Sequence, residues 1–268
     1  MMRFGVCEAA PEMVPGGEDW QQLAARAWEE RTDVFLLNEM PFGPWISCAE
    51  KAGEEMLLAS HRAHEAGMQH LVELGARSVL ATRPVYDQGR SVNQAFVWRR
   101  GSGIQSVHTK QFFPDEEGYY EARWFARGDT HFRLADVEGV KIGFLICTEV
   151  MFNEWARHYG RQGAHVIAVP RAVGRASLRR WKTALSMAAI VSGCYVISSN
   201  RAGIDQKGQE FGGGGWIFDP FGDLIAETSP DHSVVSVDLD LALVERAQQE
   251  YPCCVSELPS PPTTASLG

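Results

Sequence analysis

Short apolar runs rich in β-favouring residues alternate with amphipathic stretches along most of the chain, and this alternation constrains the fold more than any other feature. The runs are "TDVFLLNEM", "RSVLATRPVY", "SVNQAFVWRR", "VKIGFLIC", "AHVIAVP", "CYVISSN" and "GWIFDPFGDLIAET". Their Val, Ile and Phe content reads as strand. Between them, helical spacing puts Leu23, Ala24, Ala27 and Trp28 on one face of 19–31, and Met56, Leu57, His64, Met68 and Leu71 along 48–74. Further helical patterns cover 153–162 and 178–192. A chain of mixed strands and one-faced helices buries both only by layering them, which predicts an α/β or α+β sandwich. "FDPFGD" places Pro and Gly between two strand-like runs and predicts a hairpin. The expectation is a single domain over 1–250 and a tail over 251–268, with the Pro/Ser/Thr-rich "LPSPPTTASLG" extended or disordered.

Composition narrows the function. Across 268 residues, 45% are hydrophobic and 22% charged, enough for a sizeable core. The net charge of -9 argues against nonspecific nucleic-acid binding, which needs a basic surface. No basic start precedes an apolar stretch at the N-terminus, and no run approaches the roughly 18 apolar residues of a membrane span. Neither export nor membrane insertion is therefore expected. The six cysteines, Cys7, Cys48, Cys147, Cys194, Cys253 and Cys254, follow no framework and read as free thiols in a reducing, cytoplasmic setting. No metal or cofactor is expected. His61 and His64 share a helix face but His70 does not, and "FGGGGW" lacks the lysine of a phosphate loop.

Three strand-like runs end in reactive side chains: "VFLLNEM" at Glu39, "IQSVHTK" at Lys110 and "GFLICTE" at Cys147. Strand ends open onto loops, where α/β proteins put functional groups. Each residue alone has an ordinary reading, Cys147 as a small core hydrophobe and the other two as surface charges. Together they suffice to hydrolyse a carbon–nitrogen bond. A thiolate attacks carbon, a carboxylate moves protons and an ammonium stabilises developing negative charge.

On these residues the chain resembles the nitrilase superfamily of carbon–nitrogen hydrolases, from about Arg3 to about Asp240. The resemblance is carried in order by "LLNEMPFG", "HTKQFFPDEEGYYEARWFARGDT", "VKIGFLICTEVMFNEWAR", and "SNRAG" with "FGGGGWIFDPFGDLIAE". The surroundings of Glu121, with "GYYE" and "GDT", and "PRAVG" further on resemble the carbamoylputrescine amidase branch. The resemblance implies an α+β fold, a four-layer α-β-β-α sandwich, that assembles as a homodimer or larger homo-oligomer. It also implies catalytic roles for four residues. Cys147 would attack an amide, carbamoyl or nitrile carbon, and Glu39 would take the thiol proton and later activate water. Lys110 and the Thr148 backbone N–H would stabilise the oxyanion, and Glu121 would orient Lys110 or the substrate.

The chain departs from the family pattern in three places. Asn38 precedes the first glutamate where proline is common. Val191 and Ser192 stand where many members carry a Glu-Asn pair. Thr148 and Glu149 follow the nucleophile, Glu149 leaning toward nitrilases and Thr148 not. Expected substrate contacts are Thr148, Glu149, Arg171, Arg175 and Trp124. Arg171 or Arg175 would suit an anionic substrate through a two-pronged salt bridge. Asp115, Glu116 and Glu117 would suit a cationic one, and Arg179 and Arg180 read as a solvated helix start. The leading expectation is a cysteine amidohydrolase for a small linear amide or N-carbamoyl compound. A nitrilase, an amidotransferase and a catalytically silent binding protein remain open.

Overall fold

The computed structural model describes residues 1–128 and 131–257. Among these lie thirteen strands: β1 (Met2–Ala9), β2 (Val34–Leu36), β3 (Ser78–Asp87), β4 (Arg90–Arg99), β5 (Gly103–Thr109), β6 (Ala135–Val137), β7 (Val140–Phe144), β8 (Val166–Pro170), β9 (Tyr195–Ile204), β10 (Glu210–Gly212), β11 (Trp216–Phe218), β12 (Leu224–Glu227) and β13 (Val234–Leu239). The helices are α1 (Glu18–Glu30), α2 (Glu54–Met68), α3 (Glu121–Trp124), α4 (Asn153–Arg161), α5 (Leu178–Ser192) and α6 (Leu241–Gln249).

Side-chain alternation along the strands builds the layers. In β1, Phe4 and Val6 enter one core while Cys7 and Ala9 enter another. In β2, Val34 and Leu36 face the first, and Phe35 and neighbouring Leu37 the second. Both faces are buried, which is why these runs read as nearly continuous apolar sequence. The hydrogen-bonded order is β5-β4-β3-β2-β1-β9-β8-β7-β6. It forms two sheet halves, β1–β5 with β13 and β6–β9 with β11 and β12, whose inner faces share the first core. The halves join through a short parallel contact, Glu8 opposite Asn200 and Ala9 opposite Arg201. On the outside, α1 covers the first half with Trp20, Leu23, Ala24 and Ala27. On the other side, α4 and α5 cover the second half with Ala156, Tyr159, Leu185 and Ala188. The result is the four-layer α-β-β-α sandwich.

Close backbone approach fixes the outer helices. A Cβ at Gly160 of α4 would lie 2.3 Å from the Ser192 carbonyl oxygen at the end of α5. Tyr159 donates to the Phe144 carbonyl at 3.0 Å, seating α4 on β7.

Two segments read in the sequence take a different form, and β1, β13 and α6 are not among the elements read there. The pattern over 48–74 is interrupted: a 3₁₀ turn (Ile46–Cys48) precedes α2 and another (Leu71–Leu74) follows it. The Glu50–Gly53 segment has no apolar side chain to bury beyond Ala52, and Gly53 is extended. In "TDVFLLNEM" only Val34–Leu36 pairs as strand, because Met40 takes a positive φ of 42° and donates its N–H to Thr82. The expected tail is folded back at its start, where Arg157 of α4 donates to the carbonyls of Pro252 and Val255 and pairs with Glu257. "LPSPPTTASLG" lies outside the described residues, as do Asp129 and Thr130 of the "GDT" match. No helix among the described residues is long and apolar enough to cross a membrane.

Candidate active site

The β1–β9 contact brings the ends of strands from both halves together, and the reactive residues lie there. Cys147 opens a 3₁₀ turn (Cys147–Met151) just past β7, with a φ of +49°. That left-handed conformation costs a β-carbon-bearing residue roughly 1–2 kcal/mol, so something must hold it. Two bonds close the turn: the Glu149 N–H to the Ile146 carbonyl at 3.1 Å, and the Ile146 N–H to the Glu149 carboxylate at 2.8 Å.

Lys110 follows β5 directly. Its Nζ donates to Glu39 Oε1 at 2.7 Å and to Glu121 Oε2 at 2.6 Å, with all three side chains buried. Asn93 of β4 donates to the same Glu39 oxygen at 2.8 Å. The remaining oxygens, Glu39 Oε2 and Glu121 Oε1, are buried and have no partner among the described residues. Burial alone would lower the Lys110 pKa. The charges of Glu121 and Glu39 outweigh it and hold the ammonium above the ordinary lysine range. Burial pushes the Glu121 carboxyl up to about 8, opposed by Lys110.

The Cys147 thiol is raised too, first by burial and then by Glu39, while Lys110 and the Ala172 backbone pull it back. The resting sulfur is therefore protonated. Moving its proton to Glu39 creates a thiolate and neutralises a carboxylate, so the net charge of the enclosed set stays constant. That avoids the full cost of forming a lone buried anion.

The "SSNRAG" strand, β9, holds these strand ends in register. Ser199 donates to the Leu36 carbonyl of β2 at 2.7 Å. Asn200 accepts from the Val173 N–H at 2.9 Å and donates to the Gly213 carbonyl at 2.7 Å. Arg201 donates to the carbonyl of Met40, the residue after Glu39, and to that of Gly43. Burial lowers the Arg201 pKa to about 10, partly offset by Glu39.

A pocket of about 320 Å³ opens onto Cys147, Thr148 and Glu121. Of the five expected substrate contacts, only Thr148 lines it. Glu149 is a correction: its carboxylate is fully buried and accepts from His108 Nε2 at 2.7 Å, the Gln111 N–H at 2.6 Å and the Ile146 N–H at 2.8 Å. It ties the segment around Lys110 to the turn around Cys147 and sits behind the pocket. Arg171 is a second correction. Its guanidinium is buried over the Trp216 ring, 4.1 Å from the centroid, and donates to Ser198 at 2.6 Å and the Gly214 carbonyl at 2.5 Å. Arg175 pairs with Glu210 at 2.9 Å and lines a neighbouring groove. Trp124, at the end of α3, donates to the Ala49 carbonyl at 2.7 Å and packs in an apolar cluster with Trp45, Phe125 and Phe211.

Several contributors went unassigned in the sequence. Asn93 and His108 are polar residues facing inward on strands, a signal visible in "SVNQAFVW" and "SVHTK". Met151 and Trp181 line the pocket but carry no pattern that separates them from core, and Tyr119, an aromatic that the sequence offers for the pocket wall, lines it too. His61, His64 and His70 each have a separate partner, Ser91, Ser60 and Glu73.

Fold and site together define a class: sandwiches that gather a thiol, two carboxylates and an ammonium at converging strand ends. The chain belongs to the carbon–nitrogen hydrolase family, whose model matches residues 10–249. It is 29% identical over 252 residues to an N-carbamoylputrescine amidase of Arabidopsis thaliana, covering 86% of this chain and 83% of that one. It is also 29% identical over 159 residues to a 2-oxoglutaramate amidase of Bacillus subtilis. That match covers 54% of this chain and 61% of the relative, less than two thirds of its length. Among solved structures, a carbon–nitrogen hydrolase from Helicobacter pylori superimposes with a TM-score of 0.83 over 94% of both chains at 21% identity, a likeness of fold.

Proposed function

We propose that the protein is a cysteine-dependent amidohydrolase that cleaves the C–N bond of a small linear amide or N-carbamoyl compound through a thioester. The observation that carries this reading is the buried ammonium of Lys110 held between Glu39 and Glu121, with one oxygen of each carboxylate unpartnered among the described residues. The free Glu39 oxygen accepts the Cys147 proton. The thiolate adds to the substrate carbonyl carbon, and its oxygen takes on the negative charge. Lys110 and the Thr148 N–H stabilise that oxyanion, a contribution worth on the order of 10²–10³ in rate per donor.

Collapse of the intermediate breaks the C–N bond. The nitrogen leaves as ammonia or an amine after receiving the proton held by Glu39. Water then adds to the thioester, giving its proton to Glu39, and the acid departs as Cys147 recovers its own. The unpartnered Glu121 oxygen, in the pocket wall, accepts from the substrate N–H. Relatives named as amidases support amide over nitrile chemistry. Homodimer formation and a cytoplasmic location rest on the family resemblance and the free thiols, and both belong to this proposal.

The test is ammonia release from matched amide, N-carbamoyl and nitrile compounds by wild type and Cys147→Ala. Cys147-dependent release from the amide or carbamoyl compound is expected. Release from the nitrile alone would overturn the reading.

A further inference from the structure

The segments flanking the pocket carry many charges, of which several are paired or lie outside the pocket wall. Asp115 pairs with Arg123 at 2.6 Å. Arg175 pairs with Glu210, and Arg179 lines the neighbouring groove. Arg171 is buried behind the site on Ser198 and Gly214. Two charges remain in the wall of the pocket that holds Cys147: Glu116, from the loop after Lys110, and Arg180, from the first turn of α5. Neither forms an ion pair or a side-chain hydrogen bond among the described residues, and they do not close on each other. Pro114, Met151, Val173 and Trp181 provide apolar wall.

We infer that the pocket takes a short amide whose far end carries both a carboxylate and an ammonium group, an α-amino-acid-like head, with Arg180 meeting the carboxylate and Glu116 the ammonium; this rests on the amidohydrolase reading above. Both side chains are exposed at the pocket mouth, so a neutral tail would cover part of each charge and return nothing to either. A tail of one sign would satisfy one and leave the other facing it unpaired. A zwitterionic head answers both, and a guanidinium matches a carboxylate with two parallel donors. The apolar wall suits the methylenes between head and amide. A volume of about 320 Å³ is near the lower end for small-molecule sites, which limits the chain to a few carbons.

The experiment compares four terminal amides of equal chain length: one with both charged groups, one with the carboxylate only, one with the ammonium only and one with neither. The zwitterion should exceed each singly charged amide in kcat/KM by at least about five-fold, mainly through KM, the modest factor allowing for solvent screening at the pocket mouth. Arg180→Gln should remove the advantage of the carboxylate and Glu116→Gln that of the ammonium. Each variant should speed the neutral amide modestly, because one uncompensated charge in the wall is gone. A neutral amide within two-fold of the zwitterion, or variants that slow all four equally, would overturn the inference. Calorimetric binding of the same amides to Cys147→Ala reads charge preference without turnover. If no amide is hydrolysed by wild type, the amidohydrolase reading fails, while the order of binding still decides what the pocket recognises.

Discussion

Replacing Glu149 with Gln removes one charge and almost no volume, and it tests whether the link behind the pocket holds the site together. The carboxylate accepts three bonds: Oε1 from the Gln111 N–H, and Oε2 from His108 and the Ile146 N–H. An amide has one oxygen. Its best orientation keeps that oxygen on His108 and Ile146 and turns the NH₂ toward the Gln111 N–H. One charge-assisted bond is lost, and two donors face each other in a dry site. The cost is about 2–3 kcal/mol, which lowers Tm by roughly 4–5 °C in a chain of this size. Gln111 adjoins Lys110, and Ile146 adjoins Cys147. Loosening the link therefore moves ammonium against sulfur, and a misplacement of about 1 Å costs roughly 10²-fold. Steady-state ammonia release and thermal unfolding measure both effects. The expected pattern is a fall in kcat with KM within a few-fold, since Glu149 does not line the pocket. A normal kcat in a normally stable variant would refute the linking role. A rise in KM alone would return Glu149 to the substrate.

Other outcomes follow from the same geometry. Lys110→Ala should lose about 10²–10³ in kcat, and a change under three-fold in ammonia release would contradict its oxyanion role. His64 is buried, donates from Nδ1 to the Ser60 carbonyl and accepts from the Phe42 N–H, which is the neutral form. Burial pushes its pKa down to about 3, from an ordinary 6.5. Its neutral form therefore favours the folded state fully above pH 6.5, and that advantage is lost as pH falls from there toward 3. Urea unfolding at pH 6.5 and pH 5 should show wild type losing about 2 kcal/mol more than His64→Gln; equal losses would contradict a neutral buried ring. Gly160→Ala should destabilise the α4–α5 contact by at least about 1 kcal/mol, read by denaturation, because its Cβ meets backbone. An unchanged midpoint would mean that the two helices separate freely.

The sequence made the layers legible because periodicity is a local property. β2 alternates between two cores, and six of the seven apolar runs became interior strands of the sandwich, β2, β3, β4, β7, β8 and β9, while β1 is not among those runs. The reactive strand ends were legible for the same reason, since each polar residue interrupts a run that must otherwise be buried. What a side chain meets beyond the run was not legible. Glu149 next to the nucleophile looks like a pocket residue, yet its partners His108 and Gln111 lie 41 and 38 positions away. Arg171 looks like a substrate anchor at a strand end, yet Ser198 and Gly214, brought in by β9 and the glycine run, take its Nε and Nη2 donors. Arg180 looks like a solvated helix start, and only the packing of α5 brings it to the pocket wall. These placements depend on long-range pairing, which residue spacing does not encode.

The central claim is that the Cys147 sulfur carries the acyl group during turnover. Acid quenching in the steady state, followed by mass analysis of peptides, reads this directly. With a hydrolysable amide, the peptide containing Cys147 should gain the mass of the acyl group, and the gain should be absent in Cys147→Ala together with all ammonia release. An acyl adduct on another residue, or Cys147→Ala turning over within a few-fold of wild type, would contradict it.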